Sequence, residues 1–263
     1  MKPEEQDLEI QGKRARRLGR SIYILPSMFT VGNIFCGYYA IIATMRGNYD
    51  HAAQAIGVAI ILDALDGKIA RLANATSLFG LQLDSLADVI SFGIAPSILA
   101  FFWGLQNVDF RLGWIAAFTF TICGAMRLAR FNVQAGGLKH FVGMPIPAGG
   151  GAIAAIVHFF GAPPANPVAS GGMVFVVGLL AFLMISTFKY SSLKNLTIGR
   201  RSHFTIVIIA MLVALIYYYS DWTLLCLAVV YALSGPAMRI LHLLHHRKHS
   251  SEEIHIHSPV EDH

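Results

Sequence analysis

Hydrophobic and polar positions follow each other in long blocks along the chain, with eight apolar segments separated by shorter polar connections. Most of these segments approach the roughly 20 residues that an α-helix needs to cross the hydrocarbon core of a bilayer. The segment 144–161 is short and rich in glycine, which makes it the weakest of the eight. The pattern predicts an all-α polytopic membrane protein with about eight transmembrane helices. Their expected positions are 26–45, 52–72, 83–104, 112–132, 144–161, 170–188, 203–219 and 222–244.

The composition agrees with this prediction, since 55% of the residues are hydrophobic and only 13% are charged. A soluble domain of this length would carry about a quarter charged residues. The three cysteines, Cys36, Cys123 and Cys226, all fall inside apolar segments. We interpret them as small packing residues and expect neither a disulfide framework nor a cysteine metal site.

Positive charge is distributed unevenly between the predicted connections. Of the 20 Lys and Arg residues, 18 fall on one side of the membrane, and only Arg46 and Arg111 fall on the other. Because the side rich in Lys and Arg is normally cytoplasmic, we expect a multi-pass protein of the inner (cytoplasmic) membrane with both termini in the cytoplasm. The polar N-terminus argues against a cleavable signal peptide. The net charge of +5 is then a topology signal, and we expect no nucleic-acid partner.

Four carboxylates lie where the second predicted helix is followed by the third. Asp63 and Asp66 are three residues apart, so they occupy one face of their helix. Asp84 and Asp88 are four residues apart and share a face in the same way. The short connection 72–82 keeps the two helices adjacent. The pattern therefore predicts one cluster of four negative charges in the half of the membrane next to the cytoplasm.

Such a cluster in or beside a membrane needs cations to neutralise it. Its ligands are oxygens, with no His or Cys among them, which favours Mg²⁺, Mn²⁺ or Ca²⁺ over zinc. Two cations would balance the charge and could clamp a diphosphate, while one carboxylate acts as general base for an incoming hydroxyl. The alternative is a structural set of aspartates paired with Lys68 and Arg71. Two basic residues do not neutralise four acids, which argues against that alternative.

The stretch 63–88, DALDGKIARLANATSLFGLQLDSLAD, carries eight residues at fixed spacing. These residues match every fixed position in the signature of the CDP-alcohol phosphatidyltransferases, and the chain therefore resembles that family. Such a match, in a protein with the predicted topology, is very specific. The matching residues are Asp63, Asp66, Gly67, Ala70, Arg71, Gly80, Asp84 and Asp88.

The resemblance implies transfer of a phosphatidyl group from CDP-diacylglycerol to an alcohol, with release of CMP. It also implies a homodimer in the lipid bilayer and two divalent cations, Mg²⁺ or Mn²⁺, with Ca²⁺ as a non-productive occupant. The metal site would be formed by Asp63, Asp66, Asp84 and Asp88, and Asp88 would be the catalytic base. The residues that the resemblance assigns to the CDP site are Asp66, Gly67, Ala70, Arg71 and Gly80.

Longer stretches around the signature resemble the serine-using, membrane-integral members of the family, which implies L-serine as the acceptor. They are LPSMFTVGNIFCGYYAI, DVISFGIAPS, RLARFN, FVGMPIPAGG and FKYSSLK. Arg127, Arg130 and Lys189 lie at the cytoplasmic ends of predicted helices, where an arginine could hold the serine carboxylate with two hydrogen bonds. Asn33, a polar residue in the first helix, is either a helix–helix hydrogen-bonding residue or a residue that lines the site.

Two other interpretations stay open at this point. A sister enzyme of the same family would use glycerol 3-phosphate or an inositol phosphate, because the same basic residues suit an acceptor that carries a phosphate. A cation-coupled transporter would also place carboxylates inside a membrane. Transporter sites tend to lie at the midplane between structural repeats, and this chain shows no evident internal repeat.

The resemblance also suggests how the chain is divided. The family's six-helix core would end after the sixth predicted helix, and the last two helices would lie outside it. We therefore expect a basic cytoplasmic arm at 1–20, the six-helix catalytic core at 21–190, two additional helices at 191–244, and a His-rich, disordered cytoplasmic tail at 245–263.

Overall fold

The computed structural model describes residues 28–72, 78–134, 143–188, 190, 211, 214–216 and 218–256. Within these ranges the regular elements are all helical, and no strand is present. The prediction of an all-α membrane protein is therefore confirmed. The main elements are α1 (Met28–Met45), α2 (Tyr49–Leu72), α3 (Leu78–Asp88), a π-helical turn (Val89–Ile94), α4 (Ala95–Trp103), a 3₁₀ turn (Leu105–Asn107), α5 (Phe110–Gln134), α6 (Ile146–Phe160), α7 (Pro167–Ile185) and α8 (Ser220–Ile256).

The first helices alternate in direction. A tight turn joins α1 to α2, and near the far end of the pair the Thr30 hydroxyl of α1 donates a hydrogen bond to the Asp66 carboxylate of α2. At the turn end, the Tyr49 hydroxyl at the start of α2 donates to the Phe102 carbonyl near the end of α4 at 3.3 Å. Because α2 is antiparallel to both of its neighbours, α1 and the α3–α4 helix run parallel to each other.

The helix formed by α3, the π-helical turn and α4 is continuous from Leu78 to Trp103. Its π-helical turn, Val89–Ile94, begins directly after Asp88. A π turn holds one more residue than an α turn, and such turns are frequent at functional sites. Here the turn separates an acidic first half of the helix from an apolar second half.

Helix α5 lies antiparallel to this continuous helix, and two polar contacts fix its register. Near the end of α5, Asn132 Nδ2 donates to Ser85 Oγ of α3 at 2.9 Å. Eleven residues earlier, Thr121 Oγ1 donates to Ser97 Oγ of α4, also at 2.9 Å. Polar pairs of this kind hold helices together in an apolar environment, where an unsatisfied hydroxyl or amide would be costly.

Small residues dominate the surface that α2 presents to α6 and the rest of the bundle. Membrane helices associate closely where small side chains let their backbones approach, because there is little hydrophobic driving force between helices in lipid. The contact between α2 and α6 is among the most extensive in the fold. The buried alanines of α2 are Ala52, Ala53, Ala55 and Ala59.

Five of the described helices are long and apolar enough to cross a membrane: Met28–Met45, Leu78–Trp103, Phe110–Val133, Pro167–Ile185 and Ser220–Arg239. Helix α6 is apolar but shorter. Helix α2 has sufficient length, with 24 residues, but it carries Asp63 and Asp66 and is less apolar. The predicted segment 203–219 falls mostly outside the described residues, so the number of eight spans stays a prediction.

Aromatic and polar residues mark the end of the bundle that is distant from the four aspartates. All three tryptophans lie there, with Trp103 at the end of α4, Trp114 near the start of α5 and Trp222 in the first turn of α8. Trp103 Nε1 donates to the Gly161 carbonyl at 3.2 Å. Tryptophan is enriched at membrane–water interfaces, and this level of the bundle has that character.

His158 connects three helices at the same end. Its Nδ1 is hydrogen-bonded to Asp50 at the start of α2, and its Nε2 lies 3.0 Å from Asp221 Oδ1 and 3.0 Å from Ser220 Oγ at the start of α8. When both ring nitrogens carry protons, each can donate to one carboxylate. The contact ties the end of α6 to the beginnings of α2 and α8.

Helix α8 packs against α6, and most side chains of its first part, Ser220–Arg239, remain uncovered. It has 37 residues and a proline, Pro236, in its interior. A proline lacks the N–H that would bond the carbonyl four residues earlier, in this case that of Ala232. The phenol of Tyr190, which follows α7, supplies the missing donor: Tyr190 Oη donates to the Ala232 carbonyl at 3.1 Å.

Candidate active site

Three carboxylates from two antiparallel helices meet in the half of the bundle opposite the tryptophans. One oxygen each from Asp63, Asp84 and Asp88 can be chosen so that all three lie within 4.8 Å of one another. In the part of the chain that the structure describes, this is the one group of three or more His, Cys, Asp or Glu residues with such spacing. The prediction that α2 and α3 bring their acidic faces together is met for these three residues.

The fourth carboxylate, Asp66, lies beside this group and has a different partner. Asp66 is buried and accepts the hydrogen bond from Thr30 of α1. It is also close enough to Asp84 for the two charges to interact. Thr30 is not among the residues that the sequence pattern predicts for the site. Its position three residues before Asn33, on the same face of α1, could have indicated it.

Arg127 of α5 reaches the cluster from a third helix. Along α5, Arg127 lies between Thr121, which contacts α4, and Asn132, which contacts α3. The part of α5 between these two contacts is therefore at the level of Asp88. The Arg127 guanidinium is an electrostatic neighbour of the Asp88 carboxylate. Its Nε is buried and has no hydrogen-bond partner within the described ranges, and the same is true of Asp88 Oδ1.

Asn33 approaches the same level from α1. Its side chain is buried, and neither amide atom has a hydrogen-bond partner in the described part of the chain. Its backbone carbonyl accepts from Ser91 Oγ at 2.9 Å, and an added Cβ on Gly37 would lie 2.7 Å from Ser91 Cα. Asn33 precedes Gly37 by about one helical turn, and Asp88 precedes Ser91 by about one turn. Because α1 and α3 run parallel, Asn33 therefore lies beside Asp88. This arrangement favours the site-lining interpretation of Asn33.

The other predicted site residues differ in how well they can be placed. Arg130 is exposed on α5, one turn beyond Arg127. Gly67 is exposed near the end of α2, and Gly80 is half-buried in the first turn of α3. Lys189 and the side chains of Ala70 and Arg71 lie outside the described residues, so their roles stay predictions.

The donor set fits hard divalent cations. Its ligands are carboxylate oxygens, the preferred ligands of Mg²⁺, Mn²⁺ and Ca²⁺, and three of them already converge. Asp88 Oδ1 is buried with no protein partner among the described residues, which is costly unless a cation or a substrate proton compensates. Among the described side chains, the guanidinium of Arg127 is the cation that interacts with Asp88, and one positive charge does not balance the cluster.

Comparison with known proteins gives a family and several close relatives. The sequence profile described as CDP-alcohol phosphatidyltransferase matches residues 23–234. A CDP-diacylglycerol–serine O-phosphatidyltransferase of Bacillus subtilis is 38% identical over 183 residues, which cover 67% of this chain and 97% of that protein. The enzyme of the same description from Helicobacter pylori strain 26695 is 38% identical over 66% of this chain and 74% of its own.

An archaeal relative, described as archaetidylserine synthase, comes from Methanothermobacter thermautotrophicus. It is 35% identical over 173 residues, which cover 65% of this chain and 70% of that protein. The matched region of the family profile includes the aspartate cluster, Asn33 and Arg127. The profile match covers most of the chain and contains the signature 63–88, so the chain belongs to the CDP-alcohol phosphatidyltransferase family.

Proposed function

We propose that this protein transfers the phosphatidyl group of CDP-diacylglycerol to L-serine, forming phosphatidylserine and releasing CMP. One observation carries the proposal: the carboxylates of Asp63, Asp84 and Asp88 converge within 4.8 Å beside a half-buried arginine, in a chain of this family. The names of the relatives from Bacillus subtilis and Helicobacter pylori support serine as the acceptor.

In this proposal Asp63, Asp66, Asp84 and Asp88 would hold two divalent cations, Mg²⁺ or Mn²⁺. When bound, such cations would neutralise the carboxylates and polarise the diphosphate of CDP-diacylglycerol. The Thr30 hydroxyl holds the carboxylate of Asp66 in one orientation through its hydrogen bond. That contact engages Oδ2 of Asp66, so Oδ1 would be the oxygen that binds a cation.

Asp88 acts as the general base. It is buried, and its Oδ1 has no partner among the described residues, so this oxygen can accept the proton of the serine hydroxyl. The serine oxygen attacks the β-phosphorus, which carries the diacylglycerol. A new P–O bond forms to serine while the bond between the β-phosphorus and the bridging oxygen breaks, and CMP leaves with the electron pair.

Arg127 holds the carboxylate of serine. Its Nε is buried and unpaired with protein in the described ranges, and a planar guanidinium can bind a carboxylate with two hydrogen bonds. Asn33 faces the same space from α1, where its amide oxygen and nitrogen can each bond one polar group of the acceptor. Both residues thus offer unsatisfied atoms at the level of Asp88.

The nucleotide would enter from the cytoplasmic end of α2 and α3. By resemblance to the family, Asp66, Gly67, Ala70, Arg71 and Gly80 line the CDP site. The 18-to-2 distribution of Lys and Arg supports a cytoplasmic orientation for this end and for both termini. The tryptophans at the opposite end support an outer interface there. Placement in the inner membrane, a homodimer, and the division at residues 20, 190 and 244 remain parts of the proposal that rest on sequence.

Two alternatives define the controls for this proposal. A sister enzyme of the same family would place the phosphate of glycerol 3-phosphate or an inositol phosphate on Arg127, Arg130 and Lys189. A cation-coupled transporter would use the same carboxylates without releasing CMP. The carboxylates lie in the halves of α2 and of the continuous helix Leu78–Trp103 that are distant from the tryptophans, and the sequence shows no evident internal repeat, which argues against the transporter.

The test is an assay of CMP release by the purified protein with CDP-diacylglycerol and Mn²⁺ or Mg²⁺. L-serine, glycerol 3-phosphate and an inositol phosphate are supplied in separate reactions. We expect CMP release with L-serine, and its reversible loss when EDTA removes the cations. Release with glycerol 3-phosphate and none with serine would establish the sister enzyme, and full turnover by metal-free protein would rule out the two-metal mechanism.

A further inference from the structure

The first helix supplies a hydroxyl group to one of the metal-site carboxylates. Thr30 of α1 and Asp66 of α2 are 4% and 5% exposed, and the Thr30 hydroxyl donates its hydrogen bond to Oδ2 of Asp66. Asp66 lies outside the group of three carboxylates that converge within 4.8 Å. A hydrogen bond to an ionised carboxylate is roughly twice as strong as one between neutral groups. The contact therefore engages one of the two oxygens that Asp66 could offer to a cation.

The position of Thr30 is fixed by the packing of α1 against the continuous helix Leu78–Trp103. Two turns after Thr30, an added Cβ on Gly37 would lie 2.5 Å from Ser91 Oγ and 2.7 Å from Ser91 Cα. Ser91 Oγ also donates to the Asn33 carbonyl at 2.9 Å. Because a movement of α1 would break this hydrogen bond or the close approach at Gly37, the Thr30 hydroxyl has a defined place beside Asp66.

We propose that Thr30 is a specificity-determining residue for the cation: by engaging Oδ2, it limits Asp66 to one ligand oxygen and so favours Mg²⁺ and Mn²⁺ over Ca²⁺. Mg²⁺ requires six ligands in nearly ideal octahedral geometry, and Mn²⁺ occupies sites of the same kind. Ca²⁺ takes six to eight oxygens and often binds both oxygens of one carboxylate. Binding of Ca²⁺ through both oxygens of Asp66 would first break the hydrogen bond from Thr30.

This inference rests on the proposed function, because it assigns Asp66 to a cation site. The test measures cation binding directly, without turnover. Electron paramagnetic resonance of Mn²⁺ gives the apparent Kd of the purified protein for Mn²⁺, and competition by Ca²⁺ gives that for Ca²⁺. The variants are Thr30→Val, which removes the hydroxyl and keeps the shape, and Thr30→Ser, which keeps the hydroxyl.

Thr44→Val is the matched control for the substitution in Thr30. It makes the same change on the same helix, at a buried hydroxyl that bonds the Ala40 carbonyl at 2.8 Å and lies near the opposite end of α1. Thr30→Ala is measured beside Thr30→Val, because its smaller side chain leaves room for a water molecule at Asp66 if the valine prevents folding. Melting temperatures in detergent identify the folded variants.

We expect Thr30→Val to raise the apparent Kd for Mn²⁺ about tenfold, the lower end of the range for losing a hydrogen-bond partner of a metal ligand. The Kd for Ca²⁺ should stay the same or fall, since Asp66 can then offer both oxygens. The ratio of the Kd for Ca²⁺ to the Kd for Mn²⁺ should therefore fall about tenfold or more. Thr30→Ala should shift the ratio in the same direction, and Thr30→Ser and Thr44→Val should keep the wild-type ratio.

The outcomes distinguish failure of this inference from failure of the proposed function. An unchanged ratio in folded Thr30→Val or Thr30→Ala, or an equal loss of affinity for both cations, would overturn the role of Thr30 in choosing the cation. Wild-type CMP release with L-serine would leave the proposed function standing in that case. A wild-type protein that binds no Mn²⁺ would overturn the cation site itself, and the inference with it.

Discussion

At the scale of single residues, the site combines a cluster of carboxylates with buried polar atoms that have no protein partner in the described part of the chain. Asp88 Oδ1, Arg127 Nε and both amide atoms of Asn33 are buried on three different helices and unpaired within the described ranges. A buried polar group left without a hydrogen bond costs about 1–3 kcal/mol. Such a concentration of unsatisfied groups in one place is expected where substrates and cations complete the hydrogen bonding.

The two arginines of α5 should differ in their effect on the acceptor. Arg127→Gln should raise the KM for serine by roughly 10–150-fold, the range for one lost hydrogen bond to a charged group, and leave the KM for CDP-diacylglycerol nearly unchanged. Arg130→Gln, which alters an exposed residue one turn away, should have a much smaller effect on serine. Steady-state kinetics with each substrate varied in turn gives both values. An equal rise for both substrates in Arg127→Gln would assign Arg127 to the diphosphate or to folding.

Asn33 offers a sharper distinction between folding and function. Replacing an unsatisfied buried amide by an apolar group of similar size is neutral or stabilising for the fold. We therefore expect Asn33→Leu to melt at the wild-type temperature or above it, while kcat/KM falls about tenfold or more through the lost contacts with the acceptor. Thermal unfolding in detergent and the CMP assay provide the two measurements.

Thr44→Val is the matched control for this prediction. Thr44 is buried on the same helix, α1, but its hydroxyl bonds the Ala40 carbonyl at 2.8 Å, far from the carboxylates. It should retain full activity. Wild-type activity in Asn33→Leu would show that Asn33 is a packing residue between helices and does not bind the acceptor.

At the scale of the helices, opposite ends of the bundle have separate tasks. The end with the aspartates brings α1, α2, α3 and α5 together around unsatisfied groups. At the other end, polar groups that have protein partners hold α2, α6 and α8 together: His158 is hydrogen-bonded to Asp50 and lies close to Asp221. Stability and chemistry should therefore be separable by mutation.

His158→Ala should lower the stability of the fold with little direct effect on the site. The side chains of Asp50 and Asp221 are 47% and 55% exposed, so solvent screening limits the contribution of the contacts to about 1 kcal/mol. A loss of that size corresponds to a fall in melting temperature of about 2–4 °C for a domain of 150–250 residues. His51→Ala, next to Asp50 and exposed, is the control and should melt like wild type. Equal melting temperatures for the two variants would show that the contact contributes nothing measurable.

At the scale of the whole molecule, charge and aromatic residues give one orientation in the membrane. We expect cysteine labelling from outside intact cells to modify a Cys placed at Ala162, in the exposed connection between α6 and α7. A Cys at Lys194, which lies outside the described residues, should react only after the membrane is made permeable. Both variants are built in a background without Cys36, Cys123 and Cys226. Labelling of position 194 from outside would reverse the orientation.

Much of this architecture could be predicted from the sequence because membrane helices have strong local signals. Length and hydrophobicity indicate where helices lie, and spacings of three and four residues show which acidic side chains share a face. The convergence of Asp63, Asp84 and Asp88 followed from these rules. The five apolar spans and α2 agree with predicted segments. Helix α2 is less hydrophobic than the five spans because it carries Asp63 and Asp66, although it packs inside the same bundle.

What could not be predicted depends on contacts between distant parts of the chain. The spacing of Thr30 and Asn33 indicates that they share a face of α1, but no local pattern shows that Thr30 bonds Asp66 or that Arg127 and not Arg130 lies beside Asp88. These outcomes depend on the rotation of α1 and α5 about their axes, which packing determines. The contact at Pro236 could not be predicted either. A proline inside a helix indicates that the carbonyl four residues earlier, that of Ala232, lacks its helical donor, but it does not indicate that Tyr190 supplies one.

The π-helical turn Val89–Ile94 has a consequence for the phase of the helix around it. A π turn holds one more residue than an α turn within about the same rotation and rise, so deleting one residue inside it would leave α3 and α4 nearly in phase. Deleting one residue from the α-helical stretch of α4 would instead rotate α3 by about 100° relative to the end of α4 and turn Asp84 and Asp88 away from α2. Every residue of the signature would still be present in both variants, so the place of the lost residue decides whether the carboxylates can still meet those of α2.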